Sequence, residues 1–117
     1  MAMLDELKAL GVNVDAALGA IGGNTALYER LVFKLRDRLK NADASISFED
    51  SHLEETQEIV HALKGACGSL SFTPLFNAYS EAMRLMREGQ NRQAEQVLKE
   101  LEPLKNDILS CIDKHSA

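Results

Sequence analysis

The residue best placed to do chemistry in this sequence is His61, followed by Lys64 at three positions and by Gly65 and Gly68 at four and seven. If the stretch is helical, at about 100° per residue, then Leu53, Thr56, Ile59, Val60, Leu63, Ala66, Cys67 and Leu70 share one side. His61 falls opposite them, mid-helix and exposed. Glu54, Glu58, Gly65 and Gly68 lie within about 60° of it, and Lys64 lies about 60° to the other side. A neutral imidazole is a nucleophile near pH 7, and its N-phosphorylated form holds a labile, transferable group. An ammonium three residues on can stand beside phosphoryl oxygens as a point charge. Each glycine inside a helix costs about 1 kcal/mol relative to alanine, and nothing in the helix itself offsets that. On an outer face, a glycine lets a second body approach the backbone. The pattern therefore predicts a histidine on a docking surface. Spacing alone leaves three readings open: phosphotransfer, docking without chemistry, and an ordinary solvated histidine.

Such a helix needs a scaffold, and apolar periodicity supplies one. Residues 2–10 read as a short amphipathic helix with Met3, Leu4, Leu7 and Leu10 on one side, ended by Gly11. Asp15 to Ile21 forms a second short piece before Gly22-Gly23. Asn24 is the expected cap of a helix over 25–41, with Leu27, Tyr28, Leu31, Leu35 and Leu39 as its stripe. Phe33 falls off that stripe, either at a wide core edge or at a contact surface. Residues 42–49 read as a loop, and 50–71 as the His61 helix, with Ser47 or Ser51 as cap. Thr73-Pro74 predicts a helix start, Thr73 capping and Pro74 in the first turn, with the helix running over 74–88 to Gly89. Residues 91–113 form the last helix, which Pro103 is expected to kink or split. Each long segment has an apolar stripe that needs a partner. The predicted fold is all-α: an antiparallel four-helix bundle over 24–113, capped by short N-terminal helical segments over 1–23, in one domain of 1–117.

Composition narrows the function. A formal net charge of −5 argues against nucleic acid or an anionic membrane as the partner, because both require a basic surface. No apolar run approaches the roughly 20 residues of a membrane helix. The opening MAMLDELKAL has acidic residues where a secretory leader is basic, so a cytoplasmic location is expected. Cys67 and Cys111 each sit in an apolar helical pattern and read as free buried thiols. His52 lies about 180° from His61 on the wheel and reads as structural or incidental, and His115 reads as a solvated residue in a frayed tail. The three histidines have no metal-binding spacing. Arg84, Arg87 and Arg92 read as solvated faces, and no Gly-rich nucleotide loop is present, which argues against an autonomous kinase.

The stretch HALKGACGSL, residues 61–70, resembles the signature of histidine-containing phosphotransfer (HPt) domains, and NVDAALGAIGGNTALYERLV resembles the segment that opens many of them. The resemblance implies that His61 is the phosphoacceptor and that Lys64 assists the phosphoryl group. It further implies that Gly65 is kept small to let a receiver domain come close, that Gly68 is another position usually kept small, and that Leu63 is a core position; Glu58, beside His61 on the wheel, is expected to join Gly65 and Gly68 in docking the partner. It implies a phosphorelay intermediate that accepts a phosphoryl group from a receiver-domain aspartate and passes it to another receiver. Partners would be response-regulator receiver domains or a hybrid sensor histidine kinase. Mg²⁺ would sit on the receiver, no cofactor would be intrinsic, and the chain would act as a monomer. Two positions depart from the family pattern: Ser71 stands where a glycine is usual, and Ala82-Met83 where Leu-Glu is frequent. The alternative from another class is a non-catalytic helical interaction module using the same face.

Overall fold

Asn13 and Asn24 start two helices by the same device. Each carboxamide oxygen accepts a hydrogen bond from the backbone N–H three residues on, from Ala16 at 3.2 Å and Leu27 at 3.0 Å. The computed structural model describes residues 2–116, so Met1 and Ala117 of the expected domain lie outside the described residues. Six α-helices follow one another: α1 (Ala2–Ala9), α2 (Val14–Ala20), α3 (Thr25–Asp43), α4 (Leu53–Ser69), α5 (Thr73–Arg87) and α6 (Asn91–Lys114). There is no strand among the described residues.

The long helices close a ring. α4 packs on α5, α5 on α6, and α3 on both α4 and α6. Cross-links fix the directions. Tyr28, near the start of α3, donates to the carbonyl of Leu70 beyond the end of α4 at 2.8 Å. Along the other seam, Lys40 meets Asp113 at 2.7 Å and Asp43 meets Lys105, so α3 and α6 are antiparallel. The all-α bundle is as expected. Its 24 residues make α6 about 36 Å long at about 1.5 Å per residue, so it sets the long axis of the 43 × 26 × 20 Å molecule. The core holds Tyr28, Leu35, Leu39, Val60, Phe72, Leu75, Ile108 and Ile112, all but sealed from water. α1 adds Met3, Leu4 and Leu7 to this core. Cys67 and Cys111 are free and buried, and burial pushes the Cys67 thiol up to about 12.

Several local expectations need correction. α3 continues through Ala42 and Asp43, which leaves only 44–49 as loop. The segment before His61 begins with a 3₁₀ turn, Asp50–His52, and neither Ser47 nor Ser51 caps α4. Ser47 instead pairs its backbone with Thr56: Thr56 Oγ1 donates to the Ser47 carbonyl at 2.6 Å and accepts from its N–H at 2.9 Å. That pair of hydrogen bonds satisfies the buried hydroxyl and ties the loop to α4. Thr73 is the first residue of α5, not its cap; its hydroxyl donates to the Ser71 carbonyl at 3.4 Å. Pro103 does not split α6, which runs unbroken from Asn91 to Lys114. Ring and carbonyl face solvent there, since Lys99 and Pro103 are both exposed. Phe33 sits half-buried at the core edge, with the Arg36 guanidinium 5.4 Å from its ring centre. Ala82 and Met83 are both buried, so that departure from the family pattern concerns the core and not an outer surface.

The turn after α4 explains the other departure. Gly11 and Gly89 occupy the left-handed position just past α1 and α5, with φ of +99° and +78°. In each case the next N–H reaches back to the helix, Val12 to Leu7 and Gln90 to Leu85. α4 ends by the same motif: Ser71 bonds back to Gly68 and Phe72 to Cys67. Here the left-handed residue is Ser71, at φ +59°. A side chain in that conformation costs about 1–2 kcal/mol, which is why glycine is the usual occupant. The motif forms despite that, aided by a 2.9 Å bond from the Asn13 N–H to the Ser71 carbonyl.

Candidate functional site

α4 presents the site because its buried edge is fully committed. Thr56, Val60, Leu63 and Cys67 point inward, and His61 therefore stands exposed on the outer face near the middle of the helix. The His61 side chain makes no hydrogen bond or ion pair with any described residue. Its exposed ring is open to a group on another molecule. Glu54 and Glu58 are exposed on the same side, two turns and one turn before it respectively. Ile59 and Ala66, expected in the core, are half-buried at its margin.

The two glycines behave differently. A Cβ built on Gly65 would meet no described atom within 4 Å, whereas one on Gly68 would lie 2.9 Å and 3.0 Å from two ring carbons of Phe76. Gly68 is exposed, yet a side chain there would have to displace the Phe76 ring, which α5 lays against its backbone. Gly65 has no such neighbour. One further local bond marks this turn: the Ser69 hydroxyl donates to the Gly65 carbonyl at 3.0 Å.

Phe76 also organises Lys64. The ammonium lies 6.0 Å from the centre of its ring, at the outer limit of a cation–π contact, and the aliphatic stem is half-buried. Sequence reasoning missed Phe76, which lies beside Leu75 on a helix read by its core stripe. The available signal was the pair of glycines, since a Gly in a helix asks what fills its space. On the other side of α4, Ile59, Ala62 and Leu63 line an open cleft of about 280 Å³ with Arg38, Asn41, Ala42 and Ser45. It gives the His61 helix an apolar flank along α3.

Elsewhere several charges are paired. Arg84 bridges Glu81 at 2.7 Å and Glu88 at 3.1 Å, which holds the Glu81 carboxyl below its usual range. Lys105, unassigned from sequence, is a buried cation within the α6 stripe, held by Asp43 and by Glu102 at 2.9 Å. It lines a cleft of about 580 Å³ with Tyr79, Phe48 and Leu98. His52 lies 3.7 Å from Glu49 and near Ser51, away from His61. His115 is not in a frayed tail: it is half-buried, with Nε2 2.6 Å from the Glu6 carboxylate. No helix among the described residues is long and apolar enough to cross a membrane.

Comparison with known proteins agrees with the resemblance seen in HALKGACGSL. The family described as Hpt domain matches residues 26–110, which include α4, α5 and almost all of α3 and α6. No curated protein and no solved structure matches the chain. With a family match over most of its length and an all-helical bundle beneath it, the chain belongs to the Hpt domain family, whose members serve histidine phosphotransfer in phosphorelays and interact with receiver domains.

Proposed function

We propose that His61 accepts a phosphoryl group from the aspartate of one receiver domain and returns it to the aspartate of another. The observation that carries this reading is the state of His61: exposed on α4, without a bond to any described residue, one turn from the open backbone of Gly65. In the forward step an imidazole nitrogen attacks phosphorus. The P–N bond forms as the P–O bond to the aspartate breaks, and the carboxylate leaves. The reverse attack by a second aspartate regenerates the imidazole. Lys64, steadied along Phe76, supplies a positive charge beside the transferring oxygens. Gly65 gives the receiver room to reach the ring, and Glu58 joins the docking face. Mg²⁺ and the aspartate belong to the receiver on this reading, and the cytoplasm is the compartment in which receivers meet the chain.

The test is transfer from a phosphorylated receiver domain to the full chain, read as acid-labile, alkali-stable phosphate. His61→Gln is expected to abolish transfer and leave helicity and Tm unchanged. Transfer at the wild-type level in that variant overturns the proposal. Receiver binding without any transfer supports the non-catalytic interaction module instead. Lys64→Ala should slow transfer about fivefold or more, since an exposed charge near a phosphoryl group is worth about 1 kcal/mol. An unchanged rate removes its role.

A further inference from the structure

The far ends of the chain bring a second set of reactive side chains together. Cys111 and His115 stand four residues apart at the end of α6, on one face of its last turn. Glu6 reaches them from α1. One ligand atom from each of Glu6, Cys111 and His115 lies within 4.8 Å of the other two. The Glu6 carboxylate is already divided: Oε2 faces His115 Nε2 at 2.6 Å, and Oε1 accepts from the Lys114 ammonium. The Cys111 thiol is buried beneath them, and Glu6 and His115 are half-exposed, so the cluster is reachable from one side.

We propose that Glu6, Cys111 and His115 form a binding site for a zinc-type divalent cation, with water in the fourth position. A thiolate, an imidazole and a carboxylate are the donors that Zn²⁺ takes, whereas Mg²⁺ and Ca²⁺ avoid sulfur. A tetrahedral centre with bonds of about 2.0–2.3 Å needs ligand atoms about 3.3–3.8 Å apart. Reaching that spacing requires the 2.6 Å His115–Glu6 contact to open and the Cys111 sulfur to leave its 3.9 Å contact with the Met3 carbonyl. Two ligands four apart on a helix end and a third from a distant segment also follow the usual economy of such sites. Lys114 stays on the outer carboxylate oxygen and orients it. On binding, the Cys111 S–H bond breaks, its proton passes to solvent and a sulfur–metal bond forms. The thiolate and the carboxylate then balance the two charges of the cation. The consequence is a tie between α1 and α6 that stabilises the N-terminal cap.

The experiment is titration of the full chain with Co²⁺ and then Zn²⁺ near neutral pH. One equivalent of Co²⁺ is expected to give a thiolate-to-cobalt charge-transfer band in the near-UV and the visible bands of a tetrahedral centre, both removed by Zn²⁺. Tm is expected to rise with Zn²⁺ concentration. Cys111→Ser should abolish the charge-transfer band, and Cys67→Ser should preserve it. His115→Ala and Glu6→Gln lie nearer the surface and should each weaken Zn²⁺ by at least about tenfold. Absence of a thiolate band in the wild-type chain, its loss in Cys67→Ser, or Zn²⁺ affinity unchanged in His115→Ala overturns the proposal.

Discussion

Gly65 and Gly68 lie one turn apart on the outer side of the same helix, yet they answer to different neighbours. Above Gly65 there is no described atom within 4 Å, while above Gly68 the Phe76 ring would collide with any Cβ. The difference separates α4 into an open turn, from His61 to Gly65, and a partly covered turn, where Gly68 is exposed but the Phe76 ring of α5 lies against it. Small residues near a reactive group are therefore not one signal. At Gly68 an added side chain would have to displace the Phe76 ring, while at Gly65 it would enter open space.

The sharpest way to break this comparison is a bulky residue at each glycine. Overpacking costs about 1–3 kcal/mol wherever it must be absorbed. At Gly68 that cost falls on folding, so Gly68→Leu should lower stability by about 1–3 kcal/mol in chemical denaturation. At Gly65 it falls on docking. Gly65→Leu should slow transfer from a receiver roughly ten- to hundredfold, with stability equal to or above wild type because a helical glycine has been replaced. If both variants lose stability alike, Gly65 is not open in solution.

A smaller effect tests the end of the partly covered turn. Ser71→Gly removes a side chain from the left-handed position and should raise stability by about 0.5–1 kcal/mol, read as a higher Tm, without changing transfer. A fall in Tm would mean that the Ser71 conformation carries no strain.

The smallest effect concerns acid. Lys114 and then His115 hold the Glu6 carboxyl below its ordinary value of 4.5, and Lys40 does the same for Asp113. A carboxyl depressed by folding stabilises the native state above its unfolded pKa and loses that contribution as pH falls through the lower folded value. Tm should therefore hold steady above about pH 5 and decline below about 4.5, with a shallower decline in Asp113→Asn.

Much of this was legible from sequence because the strongest signals are periodic. The apolar stripe of α4 placed His61 on the outside, and the caps at Asn24 and the stops at Gly11 and Gly89 obeyed local rules. What escaped were contacts between distant residues. Phe76 over Gly68, Thr56 with Ser47, Lys105 with Asp43 and His115 with Glu6 each join segments that no local pattern relates. Pro103 is a different case: of the kink or split expected there, the split does not occur, because a long amphipathic helix carries the proline on its exposed outer face. Ser71 lies between the two. The family pattern marked the position as unusual, and the backbone supplied the reason in its positive φ.

The central claim is that one histidine of three carries the phosphoryl group. The most direct measurement is mass-spectrometric mapping of phosphate, under alkaline conditions, after transfer from a phosphorylated receiver domain. The account predicts a single phosphohistidine at His61, with none at His52 or His115. Phosphate on either of those residues, or an unmodified His61 in a chain that has accepted phosphate, would contradict it.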